Sequence, residues 1–201
     1  MPYRTRVFID FWNFSLNWKD RADGAKIDWT TVPRALLEES RKKLEVAGIQ
    51  DSLVLEETLV YASYNPRVDG KLKGWLDSFL DKQPSFRVKA RERREKARKI
   101  HCTSCLRDNE VCPGCGAPFM WAPEKGVDTA IVTDLLSLAS ENAYDVAILL
   151  SSDADHIPAI EWIQGHGRKV INATWSNNGF DLAKSCWASF NLDNVIPMMR
   201  R

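Results

Sequence analysis

The stretch LLSSDADHIP, Leu149 to Pro158, sets Asp153 and Asp155 one alanine apart, just after the apolar run DVAILL. Like charges a few ångströms apart are costly unless a cation, a proton or water relieves them. Other acids fall at comparable points. Asp10 closes RVFID, with Asn13 three residues later, and Asp128 opens a helical pattern after Lys125 and Gly126. Acids from separate segments that meet at one place suit Mg²⁺ or Mn²⁺, which prefer oxygen ligands. Each acid also has a plainer reading. Asp128 can cap its helix, and Ser152-x-x-Asp155 matches a capping box. Pro158 weighs against the box, because Ile157 before it is biased away from helical angles. The helix is therefore expected to begin near Pro158, leaving Asp155 in the turn. Asp10 is given no capping role, since Trp12 and Phe14 follow. Asp134, inside its helix, is expected to be solvated or paired with a base.

Cysteine offers a second chemistry. Cys102 and Cys105 form one CxxC and Cys112 and Cys115 another, with six residues between. Each pair can turn two thiolates toward one ion, and CPGCG supplies the proline and glycines of a tight turn. Four thiolates complete a tetrahedral Zn²⁺ and leave no open position, so the implied zinc is structural. A redox pair or free thiols are the alternatives. Cys186, alone in a helical pattern, reads as a buried small residue.

A third feature is RVKARERREKARK, Arg87 to Lys99, with eight basic and two acidic residues. Arg91, Arg94 and Arg98 have the spacing of one helix face. Alone the run reads as a solvated surface. Beside an acidic metal site it would hold phosphates. Trp12, Phe14, Trp18 and Trp121 are candidates for base stacking, although most of the eight tryptophans are more simply core.

These residues need elements to position them. At 201 residues the chain has the length of one domain, residues 1–201, with a small insertion. A hydrophobic share of 44% supports a core, while a net charge of +1 says nothing about partners. Strand patterns at Arg6–Phe11, Glu56–Tyr64, FRVKAR, YDVAILLSS and RKVINATW alternate with helical ones in TVPRALLEESRKKLEVAG, RVDGKLKGWLDSFLDK, GVDTAIVTDLLSLASEN and AIEWIQGHG. GFDLAKSCW and ASFNLD trail the last strand. Such alternation predicts an α/β domain, a mostly parallel central sheet with helices on both faces. Residues 99–123 fit neither period and read as an inserted zinc-binding module. No run is long and apolar enough for a membrane span. The N-terminus does not resemble a secretory signal. A cytoplasmic chain is the expectation, and cysteines there favour metal or free thiols over disulfides.

FIDFWN, KGVDTAIVTDLL and ILLSSDADHIPAI resemble the three blocks of the NYN domain, a branch of the PIN-like nuclease superfamily with a Rossmann-like sheet. The resemblance spans nearly the whole chain outside the cysteine insertion. It implies that Asp10, Asp128, Asp153 and Asp155 are the acidic metal-binding residues and Asn13 their polar companion. Ser152 stands where the family often has glycine, and His156 where it often has an aromatic. Neither change removes a carboxylate.

The resulting expectation is a metal-dependent endoribonuclease whose aspartates hold Mg²⁺ or Mn²⁺ and activate water for attack on phosphorus. Asn13 and Lys125 would orient the phosphate, and Arg91, Arg94 and Arg98 would grip single-stranded or structured RNA. His156 is at most an accessory group. Two rivals stand: a non-cleaving RNA-binding regulator of the same fold, and a metal-dependent phosphatase. The latter's aspartyl nucleophile would normally sit in a DxD after the first strand, where this chain has DFW. Pairing with a second copy or a regulatory protein is left open.

Overall fold

A computed structural model describes all residues, Met1 to Arg201. Strand β1 (Tyr3–Asp10) is followed at once by helix α1 (Phe11–Arg21), then α2 (Val32–Val46), β2 (Leu53–Tyr64), α3 (Gly70–Ser78) and β3 (Phe86–Glu92). Four two-residue strands follow: β4 (Lys96–Ala97), β5 (Ile100–His101), β6 (Asp108–Asn109) and β7 (Met120–Trp121). The chain ends with α4 (Val127–Ser140), β8 (Val146–Leu150), α5 (Ile157–Gly165), β9 (Lys169–Thr174), α6 (Phe180–Ser185), β10 (Ala188–Asn191) and α7 (Ile196–Met199).

The central sheet has six strands in the order β10-β9-β8-β1-β2-β3, and every pairing in it is parallel. Parallel sheets are covered on both faces, so their inner strands read as unbroken apolar runs. All five residues of β8, VAILL, are buried. Alternate side chains divide between two cores. Val7 and Ile9 pack with Ile148, Leu150, Phe14, Trp18 and Leu36 on the face of α1 and α2. Phe8 packs with Leu149, Val170, Ile131, Leu135 and Ile160 on the face of α4 and α5. No helix is long and apolar enough to cross a membrane.

Two elements depart from the sequence expectation. Phe11 opens α1 and does not extend β1, because Phe11, Phe14 and Trp18 repeat at helical spacing and are buried together. ASFNLD contributes a sixth strand, β10, beside β9.

The basic run is not helical. Its first part is β3, paired with β2 through Tyr64 and Glu92. The chain then enters a ribbon in which Lys96 and Ala97 pair antiparallel with Trp121 and Met120. Beyond it, β5 pairs with β6 and Val111 bridges Pro118. The excursion, termed the arm below, leaves the sheet after β3 and returns at α4. Arg91, Arg94 and Arg98 thus lie along extended chain.

Candidate active site

Because all six strands are parallel, their C-terminal ends share one edge. From β1 the chain moves one way to β2 and β3, then crosses back to β8 on the other side of β1. Between β1 and β8 lies the switch point where open α/β sheets form a crevice for ligands. Asp10 is the last residue of β1, and Asp153 follows β8 by three residues. Asp128 is the second residue of α4, which packs on β1 and on the short helical turn Ala154–His156 that follows β8.

Asp10 is 6% exposed and lies on the α4 face of the sheet, in register with Phe8. Burial pushes its carboxyl up to about 6, helped by the charges of Glu124 and Asp128 and opposed by the Asn13 N–H. That N–H donates to Asp10 Oδ1 at 3.1 Å, so Asp10 also caps α1. The expectation that it has no capping role is corrected. The helix starts without an intervening loop, and its first free N–H groups meet the strand-end carboxylate. Asp128 is likewise raised, by burial first and then by Asp153, with His156 acting in the opposite direction. It makes no cap bond, as Gly126 occupies the N-cap position with φ 78°.

The loop after β8 is held from beneath. Asn172 donates to the Leu149 and Ser151 carbonyls, both at 3.0 Å. Asp153 N–H donates to Ser151 Oγ at 3.2 Å, and Asp153 Oδ1 accepts from Asp155 N–H at 2.9 Å. Gly179 has φ 63°, and a Cβ there would lie 2.7 Å from Ser152 Cα, so only glycine lets the two backbones approach. α5 begins at Ile157, near Pro158 as expected, but Ile157 is not turned away from helical angles: it is helical, at φ −52° and ψ −48°, with the proline in the first turn.

Burial lowers the His156 pKa, and against it Asp155 acts with Asp153 and Asp128 to raise it. Asp155 also lines a groove between α4 and α5 with Val132, Leu136 and Trp162. Asp134 has the plainer role expected of it, accepting from Tyr61 Oη and Lys89 Nζ at 2.6 Å each.

Glu124, which sequence reasoning passed over, belongs to the site. It acts on both Asp10 and Asp128, bonds Ser63 Oγ, and pairs with Arg93 at 3.1 Å. Its only sequence signal is an acid four residues before Asp128. Arg91 lies beside it, its guanidinium 3.4 Å from where a Cβ on Gly126 would be. Lys125 is exposed. Arg91, Arg94, Arg98 and Lys125 enter no ion pair, whereas Arg87, Lys89, Arg93 and Lys99 each have an acidic partner.

The donor set fits an oxygen-seeking divalent ion. Asp10, Asp128, Asp153 and Glu124 supply acidic oxygens, and Asn13 Oδ1 and both ring nitrogens of His156 are buried without hydrogen-bond partners. As the side chains stand, no three acidic, thiol or imidazole groups converge enough to cage an ion. Mg²⁺ needs no such cage, since it retains several waters and uses one or two carboxylates.

In the arm the two CxxC turns repeat one another. Cys102 N–H donates to Arg107 O at 2.9 Å and Leu106 N–H to Cys102 O at 2.8 Å. Cys112 N–H donates to Ala117 O and Gly116 N–H to Cys112 O, both at 2.8 Å. The fifth residue of each turn is left-handed, Leu106 at φ 56° and Gly116 at φ 70°. N–H groups of Cys105 and Ser104 lower the Cys102 thiol, and those of Gly114 and Cys115 lower Cys112. Such bonds stabilise thiolate. Burial instead pushes Cys186 up to about 12, the behaviour of an inert core thiol.

A parallel α/β domain with an acidic crevice at its switch point is the class that fold and site define. The chain belongs to the NYN domain family, whose family model matches residues 4–190. That family is associated with nuclease activity on RNA, and PIN-like nucleases typically use divalent metals. The fold is also that of a Vibrio parahaemolyticus protein described as of unknown function. The two share 14% identity at a TM-score of 0.56, over 96% of this chain and 95% of the other. A structure concerned with the mechanism and regulation of Sir2 enzymes aligns at 14% identity and a TM-score of 0.35, over 98% of this chain and 90% of that one. No curated protein matches the sequence.

Proposed function

We propose that this domain is an endoribonuclease dependent on Mg²⁺ or Mn²⁺. The observation that carries the reading is the charge gathered at the switch point. Asp10 is buried and raised to about 6 beside Glu124 and Asp128, and Asp128 is raised by Asp153. A fold gains nothing from that repulsion, whereas a cation relieves it. Asp10, Asp128 and Asp153 would hold the ion, with Glu124 beside them. When bound, a divalent ion offsets charge building on a phosphodiester and lowers the pKa of water. Asn13 and Lys125 orient the phosphate, and Arg91 offsets its charge at the mouth of the crevice. Arg94 and Arg98, both unpaired, grip phosphates further along the strand.

The test is cleavage of a generic single-stranded RNA with Mn²⁺. Asp10→Asn and Asp153→Asn should each abolish it, and Asp155→Asn should cost far less because that side chain faces the α4–α5 groove. RNA left intact at saturating Mn²⁺ would turn the reading to a non-cleaving RNA-binding regulator. Release of phosphate from small monoesters, with RNA spared, would turn it to a phosphatase.

The repeated CxxC turns support a structural Zn²⁺ held by Cys102, Cys105, Cys112 and Cys115. Each turn directs N–H groups at its first sulfur, the support a thiolate ligand needs. Freshly purified protein should contain about one Zn²⁺ per chain, since four thiolates form one closed site. Metal analysis that finds none would remove the proposal.

A further inference from the structure

The tryptophans divide sharply by environment. Trp18, Trp29 and Trp175 are buried, and Trp12 donates its indole N–H to Ser63 O at 2.7 Å. Phe14 is buried as well, which removes it and Trp18 from any stacking role. Trp121 is 52% exposed, more than any other tryptophan. It stands at the base of the arm in β7, opposite Lys96 of β4. The Arg98 guanidinium lies over its ring at 5.3 Å from the centroid, and no carboxylate pairs with that arginine. Met120, beside it, is 49% exposed.

Position gives this stack its meaning. Trp121 lies three residues before Glu124, and three residues of chain reach at most about 11 Å. A second guanidinium–indole stack, Arg93 over Trp12 at 4.9 Å, lies between the arm and the acidic crevice. Lys96, Arg94 and Arg91, none of them paired, line the same extended segment. An apolar ring alone would fit many partners. A ring with an unpaired guanidinium over one face and an unpaired lysine across the ribbon, near a site suited to phosphodiesters, is complementary to a polyanion that also carries flat bases.

We propose that Trp121, steadied by Arg98, is a stacking seat for an unpaired nucleobase of the RNA, one or two nucleotides from the crevice. The proposal rests on the endoribonuclease reading and narrows its substrate to RNA that is single-stranded at that point. In a duplex both faces of each base are already stacked, so the ring has nothing to receive. Base–aromatic stacking tolerates any sequence, because every base presents a π-face. Arg98 holds one face of the indole and contributes a phosphate contact, leaving the other face for the base.

The experiment measures affinity by fluorescence anisotropy in an Asp153→Asn background, so that RNA is not cut. A labelled single strand, the matching duplex, and the single strand carrying one abasic nucleotide at successive positions are compared. Trp121→Ala and Trp121→Met should each weaken single-strand binding roughly 10- to 100-fold, the range that stacking supplies. Trp121→Phe should stay within a few-fold of the parent, and duplex binding should not change. At one position the abasic strand should reproduce the loss, and there Trp121→Ala should add nothing. Trp121→Met keeps an apolar side chain without a ring, so parental affinity in that variant would overturn the proposal. Equal losses on single strand and duplex would also overturn it, by showing that the arm's charge or fold had changed. If the wild-type chain cuts no RNA, the nuclease reading fails, and the abasic comparison still decides the stacking seat.

Discussion

Strand β8 buries all five of its residues, whereas no residue from Arg91 to Trp121 is buried. Both regions sit beside the same carboxylates, one beneath them and one at their rim. The sheet holds its shape by removing apolar area from water, at about 25 cal/mol per Å². The arm has exposed apolar groups instead, among them Leu106 and Val111, and is tied by backbone bonds within two short ribbons. Two-stranded ribbons of that length are not stable alone in water. One edge of the sheet is thus bordered by a part that folds by burial and a part that needs another tether, the role proposed above for Zn²⁺.

The largest effect that would sharpen the contrast is local. Replacing Cys102 and Cys105 by serine should abolish zinc content and amide-exchange protection from Lys96 to Trp121, while the main melting transition moves by only a few degrees. A collapse of the whole domain would show that the arm supports the sheet. The converse change is Leu149→Ala, which opens a cavity under the site and should cost about 2–5 kcal/mol in denaturant unfolding, with zinc retained. Loss of both together would break the division.

Asp10→Asn comes next and has the opposite sign. The folded chain holds the Asp10 proton up to about pH 6, where an unfolded chain releases it near 3.8. Between those values the native state binds more protons, so stability falls as pH rises through the window. Above it the cost is constant, about 3 kcal/mol at most. Asparagine keeps a side-chain oxygen for capping α1 and removes the charge. The metal-free variant should therefore be the more stable at pH 7 by up to about that amount, and the gain should vanish below pH 4. A variant less stable than wild type at pH 7 would mean that the carboxylate serves the fold. The smallest effect is electrostatic. Changing Arg91, Arg94 and Arg98 together to glutamate should weaken RNA binding and flatten its dependence on salt, without altering stability. An unchanged salt slope would return the run to plain solvated surface.

Much of this was legible in the chain because burial writes a periodic signal. Five strands and four helices follow from runs such as VAILL and from spacings such as Val32, Leu36 and Leu44. α1 was hidden because FIDFW is apolar on both sides of Asp10, and no glycine or proline separates strand from helix. β10 was hidden by its length of four residues. The helical reading of Arg91, Arg94 and Arg98 failed for the opposite reason: charges at that spacing carry no burial signal, and pairing of β3 with β2 decided the conformation. Within the site, Asp10, Asp128 and Asp153 lie at ends of elements, which sequence can locate. Glu124 is brought there by the return path of the arm, a long-range event with no local trace. Asp155 shares its DxD with Asp153, but that its side chain also lines the groove between α4 and α5 depends on how those helices pack, which residue spacing does not reveal.

The arm leaves and re-enters the domain at one place. Lys96 pairs with Trp121, and neighbouring strands lie about 4.8 Å apart. Arg93 and Glu124, just outside that pair, are themselves joined across 3.1 Å. The excursion is thus a cassette with coincident ends, and a short turn between Lys96 and Trp121 would close the chain without rethreading any strand of the sheet. A lineage can gain, lose or exchange such a piece in a single genetic event while the acids at the switch point stay where they are. What the domain grasps can then change independently of how it acts.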